Sequence, residues 1–186
     1  MNRRMNNLKK NFDTIIVKKL KDELGLSNVL AVPWVKKITL NVGIGKMSKD
    51  QKAVDTVKET LVRISGQKPV ETKARQSIAG FKLREGSVVG MMVTLRGRRM
   101  YDFLERLVHI TLPRVRDFRG IPMTSVDQSG NLSIGLSEHY VFPEVNPDTV
   151  EHTHGLQITI SVQAQNRDHA LALYREFGMP FVKEKL

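Results

Sequence analysis

Apolar residues recur along this chain with two different periods, and the periods divide it into elements. Leu8, Phe12, Ile15, Ile16, Leu20 and Leu24 return at the spacing of one helix face, and Gly25 stands where a helix C-cap belongs. Lys9, Lys10, Lys18, Lys19 and Lys21 crowd the rest of that helix. Pro33 and Trp34 mark a break before a strand. From Lys37 to Ile44 the period drops to two: Ile38, Leu40, Val42 and Ile44 share one face, and Lys37, Thr39, Asn41 and Gly43 the other. Ser48 or Asp50 caps a second helix with the stripe Val54, Val57, Leu61 and Ile64, ending at Gly66. After a polar, basic stretch from Lys73 to Ser87, Val89, Met91, Val93 and Leu95 oppose Gly90, Met92, Thr94 and Arg96. Met100, Phe103, Leu104, Leu107 and Val108 form the stripe of a third helix that stops near Pro113. Two more strands alternate, Leu132, Ile134 and Leu136 against Ser133, Gly135 and Ser137, then Leu156, Ile158, Ile160 and Val162 against Gln157, Thr159, Ser161 and Gln163. A last helix runs from about Asp168 to Phe177, with Gly178 and Pro180 ending it.

These patterns predict an α+β fold, a two-layer domain with helices packed on one face of a mostly antiparallel sheet and a projecting basic loop. No repeat, low-complexity tract or linker divides the chain, so residues 1–186 read as a single domain. The second face of the sheet carries Thr, Asn, Ser, Gln and Gly, small hydrogen-bonding groups with few charges. Such a face can lie close against RNA and bond to sugar hydroxyls and base edges, whereas an ordinary solvated face carries more Lys and Glu. Stacking aromatics are missing from it, which argues against base recognition in the manner of the RNA-recognition motif.

Composition narrows the class. A chain of 186 residues buries a core without metal or disulfide staples, and the absence of cysteine excludes a disulfide scaffold, thiol catalysis and thiolate metal sites. The apolar runs fall far below the roughly 20 residues that span a bilayer, and Met1 to Leu8 lacks the apolar core of a secretory signal. A soluble, cytoplasmic protein with no membrane partner is expected. Thirty Lys and Arg against nineteen Asp and Glu give a net charge of +11, which points to a polyanionic partner. The charge is also unevenly placed. Residues 1–120 hold 26 basic and 11 acidic side chains, residues 121–186 hold 4 and 8, and no Lys or Arg occurs between Ile121 and Ile160. One region suits phosphates, and an acidic segment at about 121–155 suits a different surface.

Catalytic and cofactor motifs fail on inspection. Val42-Gly43-Ile44-Gly45-Lys46-Met47-Ser48 sits where a phosphate loop would sit, but Leu40 takes the place of its first Gly, and Ser48 stands where the dinucleotide fingerprint needs its third. His152 and His154 alternate beside Glu151, two imidazoles without a third organised ligand, so no metal is assigned. No nucleophile signature brings Ser, His and acid together, and Asp127 before Ser129-Gly130-Asn131 reads as turn chemistry. Neither an enzyme nor a cofactor is expected. The sharpest local feature is the arm at about 72–87, with Lys73, Arg75, Lys82 and Arg84 against Glu85 alone. Lys and Arg suit phosphates, and Phe81 or Ile78 suits a sugar or base.

The chain closely resembles the bacterial large-subunit ribosomal protein five family, which binds 5S rRNA. The resemblance rests on Leu40-Asn41-Val42-Gly43-Ile44-Gly45, Gly66-Gln67-Lys68-Pro69-Val70, Ser77-Ile78-Ala79-Gly80-Phe81-Lys82-Leu83-Arg84-Glu85-Gly86, Val93-Thr94-Leu95-Arg96-Gly97, Met100 to Leu107, Pro113 to Gly120 and Phe142-Pro143-Glu144, in family order over most of residues 8–182. It implies a structural, non-enzymatic protein in the central protuberance of the large ribosomal subunit, beside large-subunit rRNA and neighbouring proteins. There Asn41, Gln67 and Thr94 would hold 5S rRNA, with Lys36, Lys68 and Arg96 as phosphate contacts. The arm, with Lys73, Arg75, Gln76, Ser77, Ile78, Ala79, Gly80, Phe81, Lys82 and Arg84, would reach the P-site tRNA. Arg114, Arg116, Asp117 and Glu144 would join an intersubunit bridge to small-subunit protein thirteen, a basic partner that fits the segment without Lys or Arg. The chain departs from the family at Val126-Asp127-Gln128-Ser129-Gly130-Asn131-Leu132, where the family usually has an aromatic-Asp-Gly-x-Gly-Asn-Tyr pattern. His152-Thr153-His154 and Val162-Gln163-Ala164-Gln165 are unusual too. Two rivals share some of these features. A general nucleic-acid chaperone or DNA-binding protein would share the charge but show no preference among RNAs, and an RNA-modifying enzyme would need a cofactor loop or nucleophile.

Overall fold

The structure, a computed structural model, describes residues 7–45, 50–81, 83–146 and 153–182, apart from the side chains of Asn7 and Phe81. Ser48, Lys82 and His152 lie outside the described residues.

The first helical stretch joins α1 (Asn7–Asn11), a π-helical turn (Phe12–Ile16) and α2 (Val17–Glu23). A π turn holds more residues than an α turn, so strict four-residue spacing keeps Leu8, Phe12, Ile16 and Leu20 buried while Ile15, predicted to join them, is 60% exposed. Gly25, at φ +62°, ends α2: Leu26 N–H donates to the Lys21 carbonyl and Gly25 N–H to that of Asp22, the paired bonds of a Schellman cap. Strand β1 (Trp34–Gly43) starts earlier than its clean alternation does. Trp34 is its first residue, and Pro33, which has no N–H for a ladder, is the last residue before it. Helix α3 (Gln51–Ser65) is capped by Asp50, whose carboxylate accepts from Lys52 N at 3.0 Å and Ala53 N at 3.5 Å. Val57, Leu61 and Ile64 are buried as their spacing predicts, with Ala53 in place of Val54.

Strands β2 (Val70–Lys73) and β3 (Val88–Leu95) are followed by α4 (Gly97–Arg106), a second π-helical turn (Leu107–Thr111) and α5 (Leu112–Arg114). The helical backbone therefore runs through Pro113 to Arg114. Pro113 follows Leu112 in this last short segment, and the helical run ends at the residue after it, Arg114. Strands β4 (Leu132–Leu136) and β5 (Leu156–Gln163) and helix α6 (Arg167–Glu176) complete the chain. The antiparallel sheet has the order β2-β3-β1-β5-β4. β2 pairs with β3 from Val70 opposite Met92 to Lys73 opposite Val88, with an irregularity between Thr72 and Lys73.

The contacts group into two compact units. The first comprises Met1–Ile38, Leu95–Ile134 and Thr159–Leu186. Phe12, Tyr101 and Phe177 form a ring cluster in it, with centroids 5.8 to 6.5 Å apart. Fully buried Tyr174 donates its hydroxyl to the Gly130 carbonyl at 2.9 Å. The Asp127 turn is present: its carboxylate accepts from Asn131 N at 2.7 Å and Asn131 Nδ2 at 2.9 Å, and Asn131 Oδ1 accepts from Val162 N at 3.3 Å. What burial Asp127 has disfavours its charge, but these bonds, with others from Ser129 and Gly130, outweigh it and hold the carboxyl below its ordinary pKa.

The second unit comprises Thr39–Thr94 and Gly135–Ile158. Its core is the stripe of α3 with Leu40, Val42, Met91, Val93, Leu136, Val141, Phe142 and Ile158. Two features of it generate predictions. At Gly90, an added Cβ would lie 2.9 Å from the Val42 carbonyl oxygen and 2.9 Å from Thr72 Oγ1. Gly90→Ala is expected to lower unfolding stability by about 1–3 kcal/mol in urea titrations, since backbone as well as side chain must shift.

The second feature is a pair of buried histidines. His139 and His154 stack with centroids 3.8 Å apart and ring planes within 2°, and the His154 N–H faces His139 Nδ1 at 3.3 Å. Burial, reinforced by the neighbouring imidazole, pushes His154 down to about 4, and burial also lowers His139. An unfolded histidine titrates near 6.5, so the unfolded chain binds more protons between about pH 6.5 and 4. Stability is then complete above 6.5 and falls as pH drops through that window, by at most about 3 kcal/mol for His154. Urea unfolding at pH 7, 5.5 and 4.5 should show a shallower decline for His154→Phe than for the parent chain. Equal slopes would contradict the assignment.

Candidate nucleic-acid interface

Alternation in β1, β4 and β5 decides what this face presents. In the second unit, burying Leu40 and Val42 leaves Asn41 and Gly43 outward, burying Leu136 leaves Gly135 outward, and burying Leu156 and Ile158 leaves Gln157 outward. Asn41, Gly43, Gly135, Leu136, Gly155, Leu156 and Gln157 line an open groove of about 310 Å³. A Cβ on Gly43 or Gly135 would meet nothing within 4 Å, so these glycines leave free space that side chains would fill. Asn41 and Gln157 have no side-chain hydrogen bond among the described residues, so their amides keep donors and acceptors for a ligand. The groove carries no charged side chain. It suits hydrogen bonding to a closely approaching polar backbone or base edge. It does not suit phosphate clamping.

The other residues expected to hold RNA are distributed as follows. Gln67 and Lys68 follow the end of α3 in the second unit. Gln67 is half-buried, its backbone N–H donating to Ser65 Oγ at 3.1 Å, and Lys68 is exposed. Thr94 is half-buried near the end of β3. Lys36 and Arg96 are exposed and belong to the first unit. Only Asn41 of the six lines the groove. Gly43, Gly135, Gly155 and Gln157 complete it. Their signal in the sequence was the alternation itself, which put Gly43, Gly135 and Gln157 on the polar face.

The arm is a closed hairpin extending the β2–β3 pair. Ala74 N donates to the Ser87 carbonyl at 2.8 Å and Gly86 N to that of Ala74 at 3.0 Å, while Ile78 and Leu83 exchange bonds of 3.0 and 3.1 Å. Ser77 Oγ accepts from Glu85 N at 2.9 Å. Lys73, Arg75, Gln76, Ser77, Ile78, Ala79, Gly80 and Arg84 are exposed, and Ile78 keeps 45% of its surface open. Phe81 belongs to a short 3₁₀ turn at the tip. Arg114, Arg116 and Asp117 are exposed after α4, and Asp117 takes a left-handed φ of +53°. Glu144 is half-buried in the second unit.

Charge is also divided unequally between the units. The first unit holds twenty basic and ten acidic residues, and the second ten and nine. Nearly all of the net positive charge therefore lies in the unit that does not contain the groove. Among the described residues no group of three or more His, Asp or Glu side chains is placed to hold a metal ion, and no helix is long and apolar enough to cross a membrane.

A net charge of +11 and an uncharged polar groove fit a nucleic-acid-binding protein as the class. Comparison with known proteins sharpens it. The family model described as ribosomal protein L5 matches residues 28–84, and the model for the C-terminus of the same ribosomal protein family matches residues 88–181. The large ribosomal subunit protein uL5 of Francisella tularensis subsp. tularensis (strain FSC 198) is 50% identical over 177 residues, 95% of this chain and 99% of that protein. The uL5 of Francisella philomiragia subsp. philomiragia is 48% identical over the same shares. The chain belongs to the ribosomal protein L5 family: it is a structural protein of the large ribosomal subunit and not an enzyme.

Proposed function

We propose that the chain anchors 5S rRNA in the central protuberance of the large subunit of the cytoplasmic ribosome, through the polar sheet face of its second unit. The observation that carries this reading is the glycine-floored groove with Asn41 and Gln157 beside it, uncharged within a chain of net charge +11. Glycine lets an RNA backbone approach the sheet closely, and free amides bond to 2′-hydroxyls and base edges, which distinguish RNA from DNA. Cations elsewhere on the chain supply affinity through counterion release. Thr94 and Gln67 border this contact, while Lys68, Lys36 and Arg96 take phosphates. The arm from Lys73 to Arg84 touches the P-site tRNA, its exposed cations on a hairpin that its own backbone bonds hold out. Arg114, Arg116, Asp117 and Glu144 contribute to a bridge to small-subunit protein thirteen. The acidic segment at about 121–155 favours a basic partner there. Residues 1–186 act as one 5S rRNA-binding chain.

Binding of 5S rRNA and of an unrelated folded RNA of equal length, at two salt concentrations, tests the reading. A preference for 5S rRNA that survives higher salt is expected; affinities that match and fall together would favour a general polyanion binder. Asn41→Ala should weaken 5S rRNA binding by about 1–3 kcal/mol, the cost of a lost buried hydrogen bond. Gly135→Val should leave unfolding stability within about 0.5 kcal/mol, because its Cβ enters open space, yet reduce 5S rRNA affinity at least tenfold by filling the groove.

The arm predicts a separate outcome. Arg75→Ala should retain 5S rRNA affinity while slowing translation by ribosomes assembled with the variant. An equal loss in both assays would refute the division of labour.

A further inference from the structure

The chain has one tryptophan, and the fold leaves it open. Trp34, the first residue of β1, is 42% exposed, and neither an aromatic ring contact nor a hydrogen bond to its indole N–H is found among the described residues. Val35 after it is fully buried and Lys36 is exposed again, so Trp34 and Lys36 emerge on the same side of the strand. Lys36 has no ion pair or side-chain hydrogen bond among the described residues. Just before Pro33, Val29 and Leu30 are 51% and 87% exposed. All of these residues lie in the first unit, where basic residues outnumber acidic ones two to one.

Trp34 together with Val29 and Leu30 leaves several large apolar side chains open in one short stretch, more than a singly exposed residue. The charge indicates which kind of partner suits this surface. A basic surface repels a basic protein, and an indole beside an ammonium favours a partner that carries a flat ring next to an anion. An unpaired nucleotide matches both groups, since its base stacks on the indole and its phosphate meets the ammonium. Residues two apart on a strand are roughly 6.6 Å apart, a span that one nucleotide bridges from base to phosphate. We propose that Trp34 is a stacking platform for an unpaired RNA base and that Lys36 holds the adjoining phosphate. This contact lies outside the groove and needs only that the chain bind RNA. It places base contact on an aromatic at the start of the central strand, whereas the glycine-lined polar face carries none.

Because Trp34 is the sole tryptophan, its emission reports on this position alone. The full chain is titrated with dye-labelled 5S rRNA, following dye anisotropy for binding and tryptophan emission for stacking. A parallel titration uses a twelve-nucleotide single-stranded oligoadenylate at low salt. Saturable quenching that tracks anisotropy is expected. Trp34→Phe, which keeps a ring, should bind within about threefold of the parent, and Trp34→Ala should lose tenfold or more while matching the parent's circular dichroism. Lys36→Ala should lower the slope of log affinity against log salt by about one. Saturation of either RNA with unchanged emission, or full affinity in Trp34→Ala, overturns the proposal. If 5S rRNA fails to bind but oligoadenylate still quenches, the 5S rRNA reading falls and the stacking site stands. If neither RNA binds, both fall.

Discussion

A strand whose side chains alternate must bury one face before it can present the other, and that constraint underlies what this protein can offer an RNA. Ile38, Leu40, Val42, Ile158 and Ile160 are almost wholly removed from water, each side chain contributing about 1.5–3 kcal/mol of apolar burial. A slip of one residue would exchange the two faces and expose the whole set. The apolar face therefore fixes where Asn41, Gly43, Gly135 and Gln157 sit, at no further energetic cost. Small residues are tolerated on the open face because the buried one supplies the stability, and their smallness makes the groove.

Affinity and selectivity have opposite requirements, and the chain assigns them to different residues. Phosphate neutralisation works at any sequence and weakens with salt. Hydrogen bonds at close range are selective, but an adjacent excess of cations would let any polyanion compete for the same surface. Charge concentrated in the first unit, with near balance in the second, reconciles the two. In the proposed reading the groove then discriminates by shape and by amide geometry. This arrangement also accounts for a groove lined without Lys or Glu, which solubility alone does not require.

Much of this was legible in the sequence because it followed from periodicity. The alternation of β4 and β5, the stripe of α3 from Val57 to Ile64 and the end of α2 at Gly25 all appear where the pattern puts them. The misses have local causes. Ile15 fits a helical stripe, but a π turn rotates it out, and the wider turn leaves no mark on hydrophobic spacing. Trp34 beside Pro33 looks like a break, yet proline restricts only its own N–H and the residue before it, so the strand starts at once. The stacked His139 and His154 are fifteen residues apart and are joined only by tertiary structure; from the sequence, His154 paired more naturally with His152. The outward position of Asn41 was legible in the sequence. The groove was not, since Gly155 lines it from just before β5, where no alternation applies.

The arm shows how local bonding shapes a contact surface. A long loop rich in cations would lose considerable conformational entropy on meeting a ligand. Here the rungs at Ala74–Ser87 and Ile78–Leu83 meet that cost during folding, so Arg75 and Arg84 are held on a preformed hairpin. Ile78 is exposed because its backbone, not its side chain, closes the second rung, and its surface is free for a partner. Preorganisation of this kind reduces the entropy lost on binding without strengthening any individual contact.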